Sequence, residues 1–345
     1  MSFFVDFIES IGLTHPVTYS VVFLGASLLM IWRLNAMLEH GLEGTALGTL
    51  VMPYCSGLGN LIFVFLLLQS NGASQEIMTN CLVNNVTNLT LILALPALIW
   101  GLNLVPVAAS ANPDAKKSKR SKKTPKPEKA DTAQHLSRLS LLLTMAAVAF
   151  FSGAVWALGQ DGFIDFNDGL VLVGLFLFWQ CFQVFDVLKH NIRKRHSFSA
   201  LFYADLGLLL VGAALLYVSL DWLVHWLVAQ KTGFLSVKNI GWLSGWLMVL
   251  PNAILAIYYG IKRRADIVYT SQIGDGHICI PLCVGLFALF KPIPMPAFFE
   301  TGVFILLGAT ALHFLVIVTL GRQPRWAGWL LLGAYAWFVY SGLGG

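Results

Sequence analysis

Charged side chains are scarce in this sequence. Lys, Arg, Asp and Glu together account for 11% of its 345 residues, whereas hydrophobic residues account for 57%. A soluble domain carries about a quarter charged residues, so the composition excludes an ordinary soluble protein. It predicts an all-α, polytopic membrane protein, because the apolar runs are long enough to cross a bilayer as helices.

The usual signatures of catalysis are also missing. We find no nucleophile placed with a base, no phosphate-binding loop and no zinc-ligand spacing. The sequence therefore predicts neither an enzyme nor a bound cofactor. The five cysteines lie in or beside apolar segments, and we expect them to be free thiols that pack as small apolar side chains.

Apolar segments long enough to span about 30 Å of hydrocarbon recur along the whole chain. We predict ten transmembrane helices in two inverted-topology repeats of five helices each. The predicted spans are 18–38, 46–69, 80–101, 138–158, 167–187, 200–220, 240–260, 271–292, 299–320 and 326–343.

Basic residues sort to one side of this topology. With the N-terminus outside, 19 of the 22 Lys and Arg residues fall on the cytoplasmic side, as the positive-inside rule expects. The net charge of +5 then reflects topology rather than nucleic-acid binding. We expect an extracytoplasmic segment 1–17, a first repeat 18–190 and a second repeat 191–345. No signal peptide is expected, and a plasma membrane or a bacterial inner membrane is the predicted location.

The densest basic stretch is PDAKKSKRSKKTPKPEKADTAQH, residues 113–135. It is rich in Lys, Pro and Ser and has no apolar periodicity, which predicts a disordered cytoplasmic loop. Two roles remain open for it. It orients the protein in the membrane, or residues 116–129 contact anionic lipid headgroups.

The two halves of the chain resemble each other weakly. NCLVNNVTNLTLILALPAL (80–98) aligns without a gap with SQIGDGHICIPLCVGLFAL (271–289), and GLGNLIFVFLL (57–67) aligns with VLPNAILAIYY (249–259). Five spans in each half make the two repeats antiparallel across the membrane. Transporters built this way place the substrate at the repeat interface, near the membrane midplane.

A polar stripe runs along the third predicted span. Residues four apart share a helix face, so Asn80, Asn84 and Asn88 line up. Their counterparts in the second half are Ser271, Asp275 and Cys279. Amide and carboxylate oxygens are suited to hard cations, which favours an ion site. The alternative is hydrogen bonding between helices without a ligand.

Of the 17 acidic residues, Asp275 and Asp205 are those that lie neither in a loop nor at a helix end, and Asp275 belongs to the polar stripe. A carboxylate buried in a membrane is costly and marks a functional site by default. Two further asparagines, Asn60 and Asn252, occupy equivalent positions in the two halves and join the proposed site.

The arrangement resembles the calcium/cation antiporter superfamily, which includes the sodium/calcium exchangers. That family has ten helices in two inverted halves, each carrying a motif close to GTSLPE and then one close to GNxxGSNxxN. The first copy here reads CSGLGN (55–60) and TNCLVNNVTN (79–88). The second copy reads LMVLPN (247–252) and TSQIGDGHIC (270–279).

The resemblance implies roles for four further positions. A hydroxyl ligand, a helix-bending proline, the motif asparagine and an ion-facing amide correspond to Ser56, Pro251, Asn80 and Asn88. Of the whole set, Asp275 and Asn88 are the residues expected to contact a metal ion directly, while Asn80, Pro251 and Ser271 support the site.

Departures from the family pattern change the expected ion. The two glutamates of the family fall on Asn60 and Asn252, motif serines become Asn84 and Asp275, and a closing polar position is Cys279. One carboxylate does not neutralise a dehydrated divalent cation in a low dielectric. Calcium transport is therefore doubtful.

Three hypotheses follow, with Na, Ca, K and H all open as ions. The first is a secondary antiporter for a monovalent cation or a proton. The second is a softer-metal transporter that uses Asp275, Cys279 and His277, which requires the helix to unwind so that all three converge. The third is a transport-inactive relative whose asparagines only pack helices.

Overall fold

The computed structural model describes most of the chain, and the ranges it describes are 16–39, 52–69, 74–104, 127–191 and 200–344. Residues 1–15 of the predicted extracytoplasmic segment and residues 113–126 of the predicted basic loop lie outside these ranges, as does the side chain of Ser56.

Helices make up nearly all of the described structure. They are α1 Pro16–Glu39, α2 Met52–Gln69, α3 Gln75–Thr87, α4 Leu93–Ile99, α5 Pro127–Leu158, α6 Phe166–Asn191, α7 Ala200–Ala229, α8 Ile240–Ile261, α9 Ala265–Gly274, α10 Gly285–Ala288, α11 Phe299–Leu320 and α12 Arg325–Leu343.

Short irregular elements join or interrupt these helices. Two are π-helical turns, which we call π1, Asn88–Ile92, between α3 and α4, and π2, Ile278–Val284, between α9 and α10. Two 3₁₀ turns cover Gly159–Asp161 and Val237–Asn239. Four two-residue strands are β1 Leu102–Asn103, β2 Phe163–Ile164, β3 Ile293–Pro294 and β4 Arg322–Gln323.

Seven stretches of the described helices are long and apolar enough to cross a membrane, which makes the chain an integral membrane protein. They are Pro16–Leu34, Gln75–Ile99, Leu139–Asp161, Phe166–Phe185, Leu201–Ala229, Val237–Ile261 and Phe299–Leu320. The predicted spans 46–69, 271–292 and 326–343 are not among these seven. The second of them is divided between α9, π2 and α10, which leaves no long uninterrupted helix there.

Two boundaries differ from expectation. Helix α5 begins at Pro127, so the prediction of disorder is wrong for residues 127–135. Proline suits the first turn of a helix, where its missing N–H has no intrahelical partner. Helix α7 continues to Ala229 rather than stopping near 220, because the apolar pattern continues through DWLVHWLVA.

Proline accounts for the irregular turns inside the two polar helices. Pro281 lies within π2, and Pro96 lies four residues beyond the end of π1. Proline has no backbone N–H, and its ring clashes with the carbonyl four residues earlier. A regular α-helical ladder is therefore interrupted in both places.

Glycines allow the polar helices to approach one another closely. A Cβ at Gly57 of α2 would lie 2.7 Å from Cγ2 of Ile278 in π2. A Cβ at Gly245 of α8 would lie 2.8 Å from Cβ of Val83 in α3. The close packing of α2 on π2, and of α8 on α3, places the asparagines of these helices around one point in the buried core.

Two short antiparallel ladders tie the halves of the chain together. β1 pairs with β4, with Leu102 opposite Gln323, and β2 pairs with β3, with Ile164 opposite Ile293. Strand β1 follows α4 and β3 follows α10. The connection after each interrupted polar helix is therefore fixed to a connection from the other half.

Candidate cation site

Five buried side chains form one continuous hydrogen-bonded chain, which we call the amide chain. Its members come from α2, α3, π1, the end of α9 and α8, and each is at most 1% exposed. They are Asn60, Asn84, Asn88, Asp275 and Asn252.

The amide chain runs in a fixed order. Nδ2 of Asn84 donates to Oδ1 of Asn60 at 3.4 Å, and Nδ2 of Asn88 donates to Oδ1 of Asn84 at 3.0 Å. The Asn88 amide also donates to Oδ2 of Asp275 at 3.4 Å. That same carboxylate oxygen accepts a short hydrogen bond from Nδ2 of Asn252. The carboxylate thus receives amide N–H groups from both halves of the chain.

Asp275 and Asn88 lie where the regular helices are interrupted. Asp275 follows the last residue of α9, and its backbone carbonyl accepts from the N–H groups of Ile278 and Cys279. Asn88 is the first residue of π1. Both side chains therefore project where the helical hydrogen-bond register changes, as is frequent at functional sites.

Two oxygen or nitrogen atoms of the amide chain have no hydrogen-bond partner in the described structure. They are Oδ1 of Asn88 and Nδ2 of Asn60. Nearby in sequence, the amide of Asn85 and the hydroxyl of Thr87 are likewise buried without a partner. Buried polar groups of this kind are costly, and an oxygen such as that of Asn88 is available to a ligand.

The supporting residues lie at the edge of the amide chain. Asn80 donates to Oγ of Ser244 at 2.9 Å and so joins α3 to α8. Ser271 accepts from Nε2 of Gln272 at 3.0 Å, and the same amide nitrogen donates to the backbone carbonyl of Asn252 at 3.1 Å.

Pro251 directly precedes Asn252 inside α8 and is buried. Ser244 and Gln272 were not among the predicted site residues. No periodic pattern marks either residue, and only the packing of the helices reveals that they connect to the site.

Cys279 lies beside the amide chain without forming a hydrogen bond in it. Its backbone carbonyl accepts from the thiol of Cys81 at 3.2 Å. The side chains of Cys81, Cys279 and Cys283 interact with one another and are fully buried, and all three thiols are free. The prediction of free, apolar-packing cysteines is confirmed for this group, whereas Cys181 is exposed.

His277 faces away from Asp275, as the helical spacing predicts. Its ring packs edge-on against Trp179 of α6, with the ring centroids 6.4 Å apart. In the part of the chain that the structure describes, no three His, Cys, Asp or Glu side chains are grouped to hold a metal ion. The convergence that the softer-metal hypothesis requires is therefore not present in this conformation.

The other buried acid has a basic partner. Asp205 is 3% exposed, and its Oδ1 accepts from Nη1 of Arg33 at 3.2 Å, which joins α7 to α1. It takes no part in the amide chain. A structural ion pair explains its burial.

The amide chain offers oxygen ligands and one negative charge. Each asparagine has an amide oxygen that accepts or coordinates and an NH₂ group that donates. Rotation of an amide about its terminal torsion exchanges the two. The arrangement is therefore able to stabilise a bare carboxylate by N–H donors, or a cation by amide oxygens together with the carboxylate.

The chain matches a family model over part of its length and is similar in fold to solved structures. Residues 204–343 match the family described as sodium/calcium exchanger protein. The fold is similar to that of the sodium-calcium exchanger NCX_Mj soaked with 2.5 mM Na⁺ and 10 mM Sr²⁺, with a TM-score of 0.63 and 18% identity over 94% of this chain and 98% of that chain.

The same exchanger soaked with zero Na⁺ and Ca²⁺ is similar to the same extent. Its TM-score is 0.62 at 18% identity, again over 94% of this chain and 98% of that chain. No curated relative matches the sequence. The predicted resemblance to the sodium/calcium exchangers is thus supported in sequence over residues 204–343, and over nearly the whole chain the likeness is one of fold.

Proposed function

We propose that this protein is a secondary active cation antiporter that binds a monovalent cation at the amide chain. The observation that carries the proposal is the fully buried Asp275 carboxylate, held by asparagine amides from both halves of an exchanger-like fold. In this proposal the carboxylate binds the cation in one half of the cycle and a proton or a second cation in the other.

Charge balance decides the class of ion. Two family positions that carry glutamate are Asn60 and Asn252 here, so Asp275 supplies the only carboxylate of the amide chain. A divalent ion bound there would keep a positive charge in a low-dielectric site, where uncompensated charge is expensive. Sodium, potassium or lithium bound to one carboxylate and several amide oxygens leaves the site neutral.

Coordination requires a local rearrangement. The nitrogens of Asn88 and Asn252 point to Oδ2 of Asp275, whereas a cation needs oxygens. We propose that both amides rotate on cation binding, so that their Oδ1 atoms replace the N–H groups. Asparagine has no titratable proton, which leaves Asp275 as the group in the amide chain that can exchange a cation for a proton.

The remaining predicted site residues form the surroundings of the ion in this proposal. Ser56 lies one turn before Asn60 in α2 and would offer a hydroxyl oxygen. Cys279 lies directly beside the amide chain, and its polarisable sulfur would line the site rather than serve as a strong ligand. Asn80 joins α3 to α8, while Ser271 accepts from the Gln272 amide that also donates to the Asn252 carbonyl.

Two inverted five-helix repeats, giving ten spans in all, form part of the proposal. Several pairs of features support them. The Asn60–Asn84 hydrogen bond has its counterpart in the Asn252–Asp275 bond, and π1 has its counterpart in π2. Strands β1 and β3 start 191 residues apart (102 and 293), the offset that aligns the two halves of the sequence.

Orientation and location also belong to the proposal. The distribution of Lys and Arg supports an outside N-terminus, cytoplasmic residues 113–135 and a plasma membrane or bacterial inner membrane. Contact of residues 116–129 with anionic lipid remains a prediction, since residues up to 126 lie outside the described ranges and nothing is described of the side chains that follow.

Ligand-dependent thermal stability of the purified protein in detergent tests the function. A cation that binds only the folded state raises its stability by mass action, by about 2.7 kcal/mol at a hundred times the dissociation constant. The panel contains sodium, potassium, lithium, calcium, manganese and zinc at several pH values. We expect one monovalent cation to stabilise the wild type and Asp275→Asn to abolish that response.

A matched control is Ser152→Ala. Ser152 is also fully buried, but its hydroxyl donates only within its own helix, to the Val148 carbonyl. It should retain the cation response. The proposal fails if no cation stabilises the wild type, or if Asp275→Asn responds as the wild type does. Stabilisation by zinc alone would instead support the softer-metal transporter.

A further inference from the structure

A second buried polar network lies next to the amide chain, and we call it the histidine bracket. Its members are Tyr269 of α9, His313 of α11 and Gln323 of β4, together with the backbone carbonyl of Leu89 in π1. The three side chains are at most 2% exposed. They therefore exchange hydrogen bonds with protein groups rather than with bulk water.

The bracket has a defined geometry. Nε2 of His313 lies 2.8 Å from the Leu89 carbonyl oxygen, and Nδ1 lies 3.4 Å from the hydroxyl of Tyr269. The Tyr269 hydroxyl donates a short hydrogen bond to Oε1 of Gln323. A carbonyl only accepts, so Nε2 of His313 must carry a proton. In the neutral ring Nδ1 is then an acceptor, and because the one hydroxyl proton of Tyr269 goes to Gln323, the approach of Nδ1 to that hydroxyl is a packing contact rather than a hydrogen bond.

The histidine bracket contacts π1, where the α-helical pattern of backbone hydrogen bonds is interrupted. The N–H of Leu93 bonds the Thr90 carbonyl, three residues earlier, rather than Leu89. The Leu89 carbonyl accepts from the imidazole of another helix. A side chain that enters the helical ladder in this way is a recognised cause of a local distortion. Leu89 directly follows Asn88, the residue that links the amide chain to Asp275.

The histidine bracket also contacts the segment that follows π1, just beyond the C-terminal end of α4. Gln323 lies in β4 opposite Leu102 of β1, and β1 follows α4. The histidine bracket therefore contacts the chain on both sides of α4: at π1, which precedes α4, and at β1, which follows it.

We propose that His313 is a positioning residue for cation binding: through the Leu89 carbonyl it holds π1 so that the Asn88 amide faces Asp275. The inference rests on the proposed function for its effect on the ion. Its structural part, that His313 fixes π1, stands apart from which ion is bound. His313 itself contacts no member of the amide chain by hydrogen bond.

Three variants separate positioning from general damage. His313→Leu removes the donor to Leu89, whereas His313→Gln keeps an amide N–H at comparable reach. Thr310→Ala is the matched control, because Thr310 lies one turn earlier on α11, is buried, and donates only to the Leu306 carbonyl of its own helix.

Two measurements are made on the full chain in detergent. The first is the sodium concentration that gives half of the maximal thermal shift. The second is hydrogen exchange of backbone amides in residues 84–99 without added sodium. We expect His313→Leu to weaken sodium binding about fivefold, as for loss of one hydrogen bond, and to speed exchange in 84–99. His313→Gln should restore both, and Thr310→Ala should change neither.

Equal sodium affinity and equal exchange in His313→Leu and Thr310→Ala would overturn the inference. Faster exchange spread evenly over all helices, without rescue by His313→Gln, would also overturn it, since that pattern indicates global loosening. If no cation stabilises even the wild type, the proposed function fails, while the exchange of residues 84–99 still decides whether His313 fixes π1.

Discussion

Asn252→Glu restores a carboxylate at a position where the exchanger motif carries glutamate, and its effect follows from the contacts of Asn252. The wild-type amide donates to Oδ2 of Asp275. A glutamate there puts a second carboxylate against the first. Two such charges about 4 Å apart repel each other by about 4 kcal/mol at an effective dielectric of 20. The variant should therefore be much less stable than wild type at neutral pH unless one carboxyl group takes up a proton.

A divalent cation should reverse that loss. Calcium between two carboxylates and several amide oxygens meets the ligand type that it prefers, and binding to the folded state alone stabilises by mass action. We expect Asn252→Glu to gain a calcium-dependent rise in melting temperature that the wild type lacks. The sodium response of the variant should shrink, because the site would carry an excess negative charge.

Asn252→Gln is the matched control, since it adds the same methylene without a charge. Melting temperatures of both variants and the wild type are compared from pH 5 to pH 8, with and without calcium. If the Glu and Gln variants melt together at every pH and neither responds to calcium, Asn252 does not face Asp275 as described. The charge argument for a monovalent ion would then lose its structural basis.

Two further substitutions test the packing of the helices, one beside the amide chain and one away from it. Gly276→Ala places a Cβ 2.9 Å from Cγ2 of Val148. Such overpacking should cost about 1–3 kcal/mol of folding stability, which the melting temperature measures. It should also weaken sodium binding, which a sodium titration measures. Asp205→Asn leaves Arg33 without its carboxylate. Because the Arg33 side chain is 16% exposed, the loss of stability should be smaller than the roughly 3–5 kcal/mol of a fully buried pair. An unchanged melting temperature would show that the pair is not structurally important.

Periodicity predicted which polar side chains meet, because the side chains involved follow a regular spacing. Asn84 and Asn88 are four residues apart, and the structure joins them by a direct hydrogen bond. The offset between the halves pointed to Asp275 and Asn252 in the same way, and these two also meet. A polar residue in an apolar helix is conspicuous, and its need for a partner makes the contact predictable.

Helix continuity was predicted less well, because it depends on interruptions that hydropathy does not register. Span 271–292 is apolar enough overall to be predicted as one helix, yet it contains Gly274, Gly276 and Pro281 and is divided between a helix end and a π turn. Proline and glycine in an apolar run indicate such a break, but not the type of turn that results. The placement of Cys279 beside the amide chain rather than in it follows from that turn.

The histidine bracket was beyond prediction from the sequence. His313 is a lone histidine in an apolar span, which indicates that its ring needs a hydrogen-bond partner but not which group supplies one. Its partners, however, include a backbone carbonyl, and no side-chain pattern marks a carbonyl that a π turn makes available. Tyr269 and Gln323 lie 54 positions apart and meet only because β4 pairs with β1.

The amide chain is more symmetric in shape than in charge. Asn84 bonds Asn60 in one half, and Asp275 bonds Asn252 in the other, so equivalent backbone positions carry an amide and a carboxylate. A cation held mainly by Asp275 would therefore lie toward the second half. The first half presents neutral amides, which would bind the ion more weakly than a carboxylate does. Since a transported ion must be bound and also released, one carboxylate facing several amides suits a monovalent ion better than a cage of carboxylates would.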